Sequence, residues 1–104
     1  MNEIAVFITA AKEQEAANIA HALVEGRLAG CVNILKNIRS IYQWEGKTED
    51  EQEVLMIAKT KKKLFRQLEK KVKELHRSSV PEIIAVPIVD GSAAYLRWLR
   101  DVTR

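Results

Sequence analysis

Three residues of this sequence carry side chains suited to a metal ion. Cys31 offers a soft thiolate, His76 a borderline imidazole and Glu82 a hard carboxylate, a set that would take copper or zinc if the fold gathered it. Their spacing forms no motif, since no CxxC pair and no HExxH helix is present, so topology has to supply the proximity. Each residue also has a plain structural use. A lone cysteine packs as a small hydrophobe, a histidine where a helix ends complements the helix dipole, and Glu82 can pair with a Lys or Arg. His21 falls within the first helix, nearer its apolar side, and is read as structural.

A second group is cationic. Lys61, Lys62, Lys63 and Arg66 crowd the expected start of the second helix, the end where positive charge is disfavoured. Two readings stay open: contacts to a small anion, or a solvated face balanced by Glu49, Asp50, Glu51 and Glu53 of another copy. No glycine-rich phosphate cradle accompanies the lysines, and no strand shows the aromatic pattern of RNA-recognition modules, so nucleic acid is not an expected partner. Neither a Gly-x-Ser-x-Gly elbow nor a P-loop is present, and "TAAKEQ" lacks the arginine an acylphosphatase-like site needs. The chain is therefore expected not to be an enzyme.

The elements that must position these groups follow from periodicity. Residues 4–9, "IAVFIT", form a buried strand, and from about Lys12 the apolar residues Ala16, Ile19, Ala20, Leu23, Val24 and Leu28 recur at helical spacing, with Gly30 as a stop. Residues 31–44 then alternate. Val32, Ile34, Ile38, Tyr42 and Trp44 occupy even positions and predict a long half-buried strand, with a bulge near Lys36. "EGKTED" reads as a turn and residues 53–60 as the returning strand of a hairpin. Thr60 is placed to cap a helix with the stripe Leu64, Phe65, Leu68, Val72 and Leu75, which "RSSVPE" ends. "IIAVPIV" is a last strand, held to an edge or a bulge by Pro87, and residues 93–102 form a short helix.

The order is βαββαβ plus a helix: an α+β, ferredoxin-like fold with a four-stranded antiparallel sheet and both main helices on one face. In that topology Cys31, His76 and Glu82 are expected at one edge of the sheet. Strands rarely exceed about ten residues, so the far part of the hairpin, with Tyr42 and Trp44, is expected to project and to form an oligomer interface. The alternative, a break near Lys36 and Asn37 that folds Tyr42 and Trp44 back on their own core, stays open.

Composition agrees with one domain, residues 1–104. The apolar fraction is 47%, and 17 Lys+Arg against 14 Asp+Glu give a formal charge of +3, which selects no partner class. Cys31 is the single cysteine, so no disulfide closes within the chain and the thiol suits a reducing compartment. With no readable leader or membrane segment, a cytoplasmic location without membrane contact is expected.

In "LVEGRLAGCVNI", "SIYQWEGK", "EVLMIAKT", "VPEIIAVPI" and "YLRW" the sequence resembles the CutA divalent-cation-tolerance family, essentially from end to end. The resemblance implies a ferredoxin-like subunit in a homotrimer, with the hairpin arms packed between subunits. It implies tolerance to copper or another divalent cation, with Cys31, His76 and Glu82 as the metal ligands and no cofactor required for folding. It also implies an intersubunit cleft that could take a small ligand or a partner protein, as in the similarly built trimeric PII signalling proteins. Family members commonly follow that histidine with Pro-Tyr, where this sequence has Arg77 and Ser78.

Overall fold

The computed structural model describes residues 2–104. β1 (Glu3–Ala10) alternates as a strand with one buried face should: Ile4, Val6, Ile8 and Ala10 are buried, while Ala5, Phe7 and Thr9 on the other face are half-covered. Against the buried face α1 (Glu13–Glu25) lays Ala16, Ile19, Ala20 and Leu23, and α2 (Phe65–Leu75) lays Leu68 and Val72. β2 (Cys31–Trp44), β3 (Lys47–Lys61) and β4 (Ile83–Pro87) complete an antiparallel sheet of order β2-β3-β1-β4. This is the expected α+β, ferredoxin-like arrangement. Pro87 closes β4, which is an edge strand and so tolerates a residue without an N–H.

α3 (Ala93–Val102) lies against the opposite face of the sheet, where Arg100 reaches Glu3 and Leu99 packs beside Gly30. A Cβ at Gly30 would stand 2.6 Å from Leu99 Cδ1 and 3.0 Å from Val102 Cγ2, so only glycine admits this approach. Ser92 caps α3, its hydroxyl accepting from the Tyr95 N–H at 3.4 Å. No helix among the described residues is long and apolar enough to cross a membrane.

The hairpin is longer than its sequence pattern suggests. Its turn is only Glu45 and Gly46, both at positive φ (50° and 79°), the signature of a type I′ turn, and β3 begins at Lys47 rather than at residue 53. The polar residues that read as a loop instead pair across a ribbon open to solvent on both sides: Arg39 with Asp50, Gln43 with Thr48, and the Tyr42 hydroxyl with Glu51. The 14 residues of β2, at about 3.3 Å each, account for the 44 Å length of the molecule. Helices of 13 and 11 residues reach only about 20 Å and 17 Å, which leaves the far half of the arm uncovered.

The expected bulge is present, and it overturns the expected single apolar face. Pairing steps from Leu35 opposite Leu55 to Ile38 opposite Glu53, so Lys36 and Asn37 together face Val54, with Asn37 at φ 64°. One extra residue inverts the alternation. Val32 and Ile34 therefore point to the helices with Met56, whereas Ile38, Ser40, Tyr42 and Trp44 share the opposite side with Glu53, Glu51 and Glu49. Two smaller expectations also fail. Thr60 caps no helix: it is buried at the end of β3, where its hydroxyl donates to the Leu28 carbonyl at 2.7 Å, and a 3₁₀ turn (Lys62–Leu64) precedes α2. His21 stands on the exposed side of α1, 3.5 Å from Glu25.

Candidate functional site

α2 ends at Leu75, and His76 takes an extended backbone that turns its ring under the chain. Its side chain is only 6% exposed, and both ring nitrogens are engaged. Nδ1 accepts the N–H of Ser78 at 3.0 Å, and a backbone N–H can only donate. Nε2 must then carry the proton, which it donates to the carbonyl of Thr9 at 2.7 Å. The imidazole is thus neutral and fixed in one tautomer. Glu15, itself nearly buried in the first turn of α1, brings Oε2 to 3.6 Å from Nδ1 and accepts the Arg77 N–H at 2.7 Å.

The ring borders an open cavity of about 590 Å³ between the sheet end, the loop after α2 and the arm. Glu82 and Glu53 bring carboxylates to its wall, Ser40 and Ser78 hydroxyls, and Tyr42 and Trp44 aromatic surface. The acidic side of the arm holds the Tyr42 phenol: its hydrogen bond to Glu51, aided by slight burial and the nearby carboxylates, pushes the pKa up to about 12. His76 and Glu82, two of the three residues expected to converge, thus line one cavity, and Tyr42 and Trp44, read from the sequence only as arm residues, line it too.

Cys31 does not join them. It pairs with Lys59, which pairs with Ala5 near the start of β1, whereas His76 binds Thr9 and Glu82 precedes Ile83, the partner of Ile8. The thiol thus lies on one edge strand at one end of the sheet, and the other two at the far edge and the far end. The expectation that all three share an edge is corrected by one reversal of direction. β3 runs antiparallel to β1, so α2, returning from β3, ends opposite the end where α1 delivers the chain to β2. Among the described residues no three His, Cys, Asp or Glu side chains are grouped to hold a metal ion. Within one copy the set does not fit a cation.

Around Cys31 the neighbours come from the sheet and from α3. Lys59 Nζ stands 4.0 Å from Sγ and hydrogen-bonds Asn33, while the Tyr95 hydroxyl meets the thiol. Burial first, and then Cys31, raise the Tyr95 pKa above its ordinary value. Thr9, Glu15 and Ser78 escaped sequence reading. Two of them act through backbone groups, which leave no mark in residue type, and Glu15 reads as any acid in a first helical turn.

Comparison with known proteins agrees with the fold. The profile described as "CutA1 divalent ion tolerance protein" matches residues 4–102. The "Divalent-cation tolerance protein CutA" of Thermus thermophilus is 48% identical over 103 residues, covering 99% of this chain and 99% of its own. Human "Protein CutA" is 46% identical over 99 residues, which are 95% of this chain and 55% of that protein, so the chain spans about half of that relative. The solved structure of the Thermus thermophilus divalent cation tolerance protein superposes with a TM-score of 0.96 at 48% identity, covering 98% of this chain and 99% of that one. The Oryza sativa CutA1 structure gives 0.96 at 39% identity, covering 100% and 95%. With its profile matched almost throughout and its fold reproduced by relatives of this identity, the chain belongs to the CutA1 divalent ion tolerance protein family.

Proposed function

We propose that this chain serves divalent-cation tolerance as a cytoplasmic homotrimer, a binding protein and not an enzyme, which takes copper or another divalent cation through Cys31, His76 and Glu82. The observation that carries the reading is the tautomer of His76. Donation from Nε2 to the Thr9 carbonyl leaves the lone pair on Nδ1, and a second-shell bond of this kind is what orients a metal-ligating imidazole. Within one copy that lone pair takes the Ser78 N–H, which a cation would displace. Glu82 stands exposed at the same cavity. Because Cys31 sits at the opposite corner of the sheet, the reading assigns the thiolate to a neighbouring copy.

Self-association is supported by what one copy leaves uncovered. Ile84 and Val86 on the sheet face away from α1 and α2, and Tyr42 and Trp44 on the arm, are all more than a third exposed. A thiolate ligand requires loss of the Cys31 proton, so affinity falls as the pH drops. The free thiol also suits the cytoplasm.

Titration of the reduced protein with Cu(I) and Zn(II) against a competing chelator, with the native mass recorded at each point, tests the reading. One metal per subunit on an intact trimer, lost in Cys31→Ala, is the expected result. Affinity equal to the parent in both Cys31→Ala and His76→Ala, or no binding above the chelator, overturns the site.

A further inference from the structure

Glu15 is a nearly buried carboxylate that no cationic side chain offsets. It is 8% exposed in the first turn of α1, the helix end where negative charge is favoured. Among the described residues no Lys or Arg forms an ion pair with it, although Lys12 and Arg77 line the small cavity of about 260 Å³ at its side. What it holds is the loop after α2. Oε2 accepts the Arg77 N–H at 2.7 Å, and the next N–H along the chain, that of Ser78, is donated to His76 Nδ1 at 3.0 Å. Two successive N–H groups thus bind two acceptors that stand 3.6 Å apart.

One of those acceptors, Nδ1, is the atom that the proposed function gives to the cation. A carboxylate fixed at this distance acts on such a cation by its charge, without touching it. Charge discriminates. Coulomb attraction scales with the product of the charges, so the same carboxylate favours a dication twice as strongly as a monocation in the same place. Burial keeps that attraction from being screened by salt, as it would be at the exposed Glu82.

We infer that Glu15 makes the His76 position selective for divalent over monovalent cations, as a positioning residue that holds the loop at Arg77 and sets a negative charge beside Nδ1. This role rests on the reading that Nδ1 takes the cation, and not on the part given to Cys31.

Titration of the reduced full chain with Zn(II) and Cu(I) against a competing chelator, in the parent and in Glu15→Gln, tests the inference. The side-chain oxygen of glutamine can still accept the Arg77 N–H, so the substitution removes the charge and spares the contact. Zn(II) affinity is expected to fall by about tenfold or more, as on losing a group behind a metal ligand. Cu(I), with half the charge, is expected to lose about threefold, so the preference for Zn(II) narrows by about threefold. A loss shared equally by both ions is what a purely structural tie would give, and either that or no loss overturns the inference. The ¹⁵N spectrum of metal-free Glu15→Gln is expected to keep His76 protonated at Nε2; a changed tautomer would show that contact rather than charge governs the ring, and overturns it too. A parent that binds neither ion, or Cu(I) alone, removes this role together with the cation site. Full affinity in Cys31→Ala beside a narrowed preference in Glu15→Gln would strike the thiolate alone and support the role of Glu15.

Discussion

The Nε2–H of His76 donates to the carbonyl of Thr9 at 2.7 Å, joining the end of α2 to the end of β1 across 67 positions of sequence. Because Nδ1 holds the Ser78 N–H as well, the ring is a strut before it is a ligand. His76→Ala takes this donor from the part-buried Thr9 carbonyl and empties the place of a side chain only 6% exposed. The metal-free variant is expected to lose about 2 kcal/mol of stability, read as a lower urea midpoint. An unchanged midpoint would show that the tie is not structural.

Placing Cys31 at one corner of the sheet and Glu82 at the other makes the proposed cation site a test of assembly. Cys31→Ala and Glu82→Ala proteins, each deficient alone, are expected to recover tight copper binding when unfolded, mixed and refolded together, because a mixed trimer can pair an intact thiol of one copy with an intact carboxylate of another. Donors from a single copy would give no recovery.

The Tyr42 phenol, raised to about 12 by Glu51, gives a pH dependence with a defined sign. Its folded value exceeds the ordinary value of about 10, so the Tyr42–Glu51 contact contributes fully below pH 10 and is lost as the pH rises through about 12. Ultraviolet titration of phenolate should show this late step, absent in Tyr42→Phe and moved down in Glu51→Gln. The Tyr42→Phe comparison also separates it from Tyr95, which is raised by burial and then by Cys31.

Gly30 admits α3 to the sheet. Gly30→Ala drives a methyl into Leu99 and Val102, and overpacking of this kind costs about 1–3 kcal/mol. Thermal unfolding should shift down accordingly, and the change is expected to shrink in Gly30→Ala with Leu99→Ala, where the obstructing side chain is gone.

Much of the fold was legible because periodicity is a strong signal: the bounds 31–44 of β2 and 93–102 of α3 agree with the structure, and Lys36 marked the bulge. The face on which Tyr42 and Trp44 lie was not legible. A bulge is visible as a break in pattern, but whether it inserts one residue or two sets the parity of everything after it. Likewise the polar composition of residues 45–50 does not tell a loop from an exposed ribbon. For the site, residue type pointed to His76, Glu82 and Cys31 but not to their distances, since a single error in strand direction moves a residue the length of the sheet. Glu3 gave no signal, because an acid opening a strand reads as surface until α3 covers it.

The extra residue at Lys36 and Asn37 also sets a rule for reading related chains. In a relative whose arm lacks the insertion, the aromatic that fills the place of Tyr42 must stand one position out of step with it, so a gapless alignment would match side chains on opposite sides of the ribbon. Deleting both residues there is thus a graver change than deleting one: loss of one removes the bulge and leaves Ile38 opposite Glu53 and Tyr42 opposite Glu49, whereas loss of two shifts every later pair by one position and turns the arm inside out.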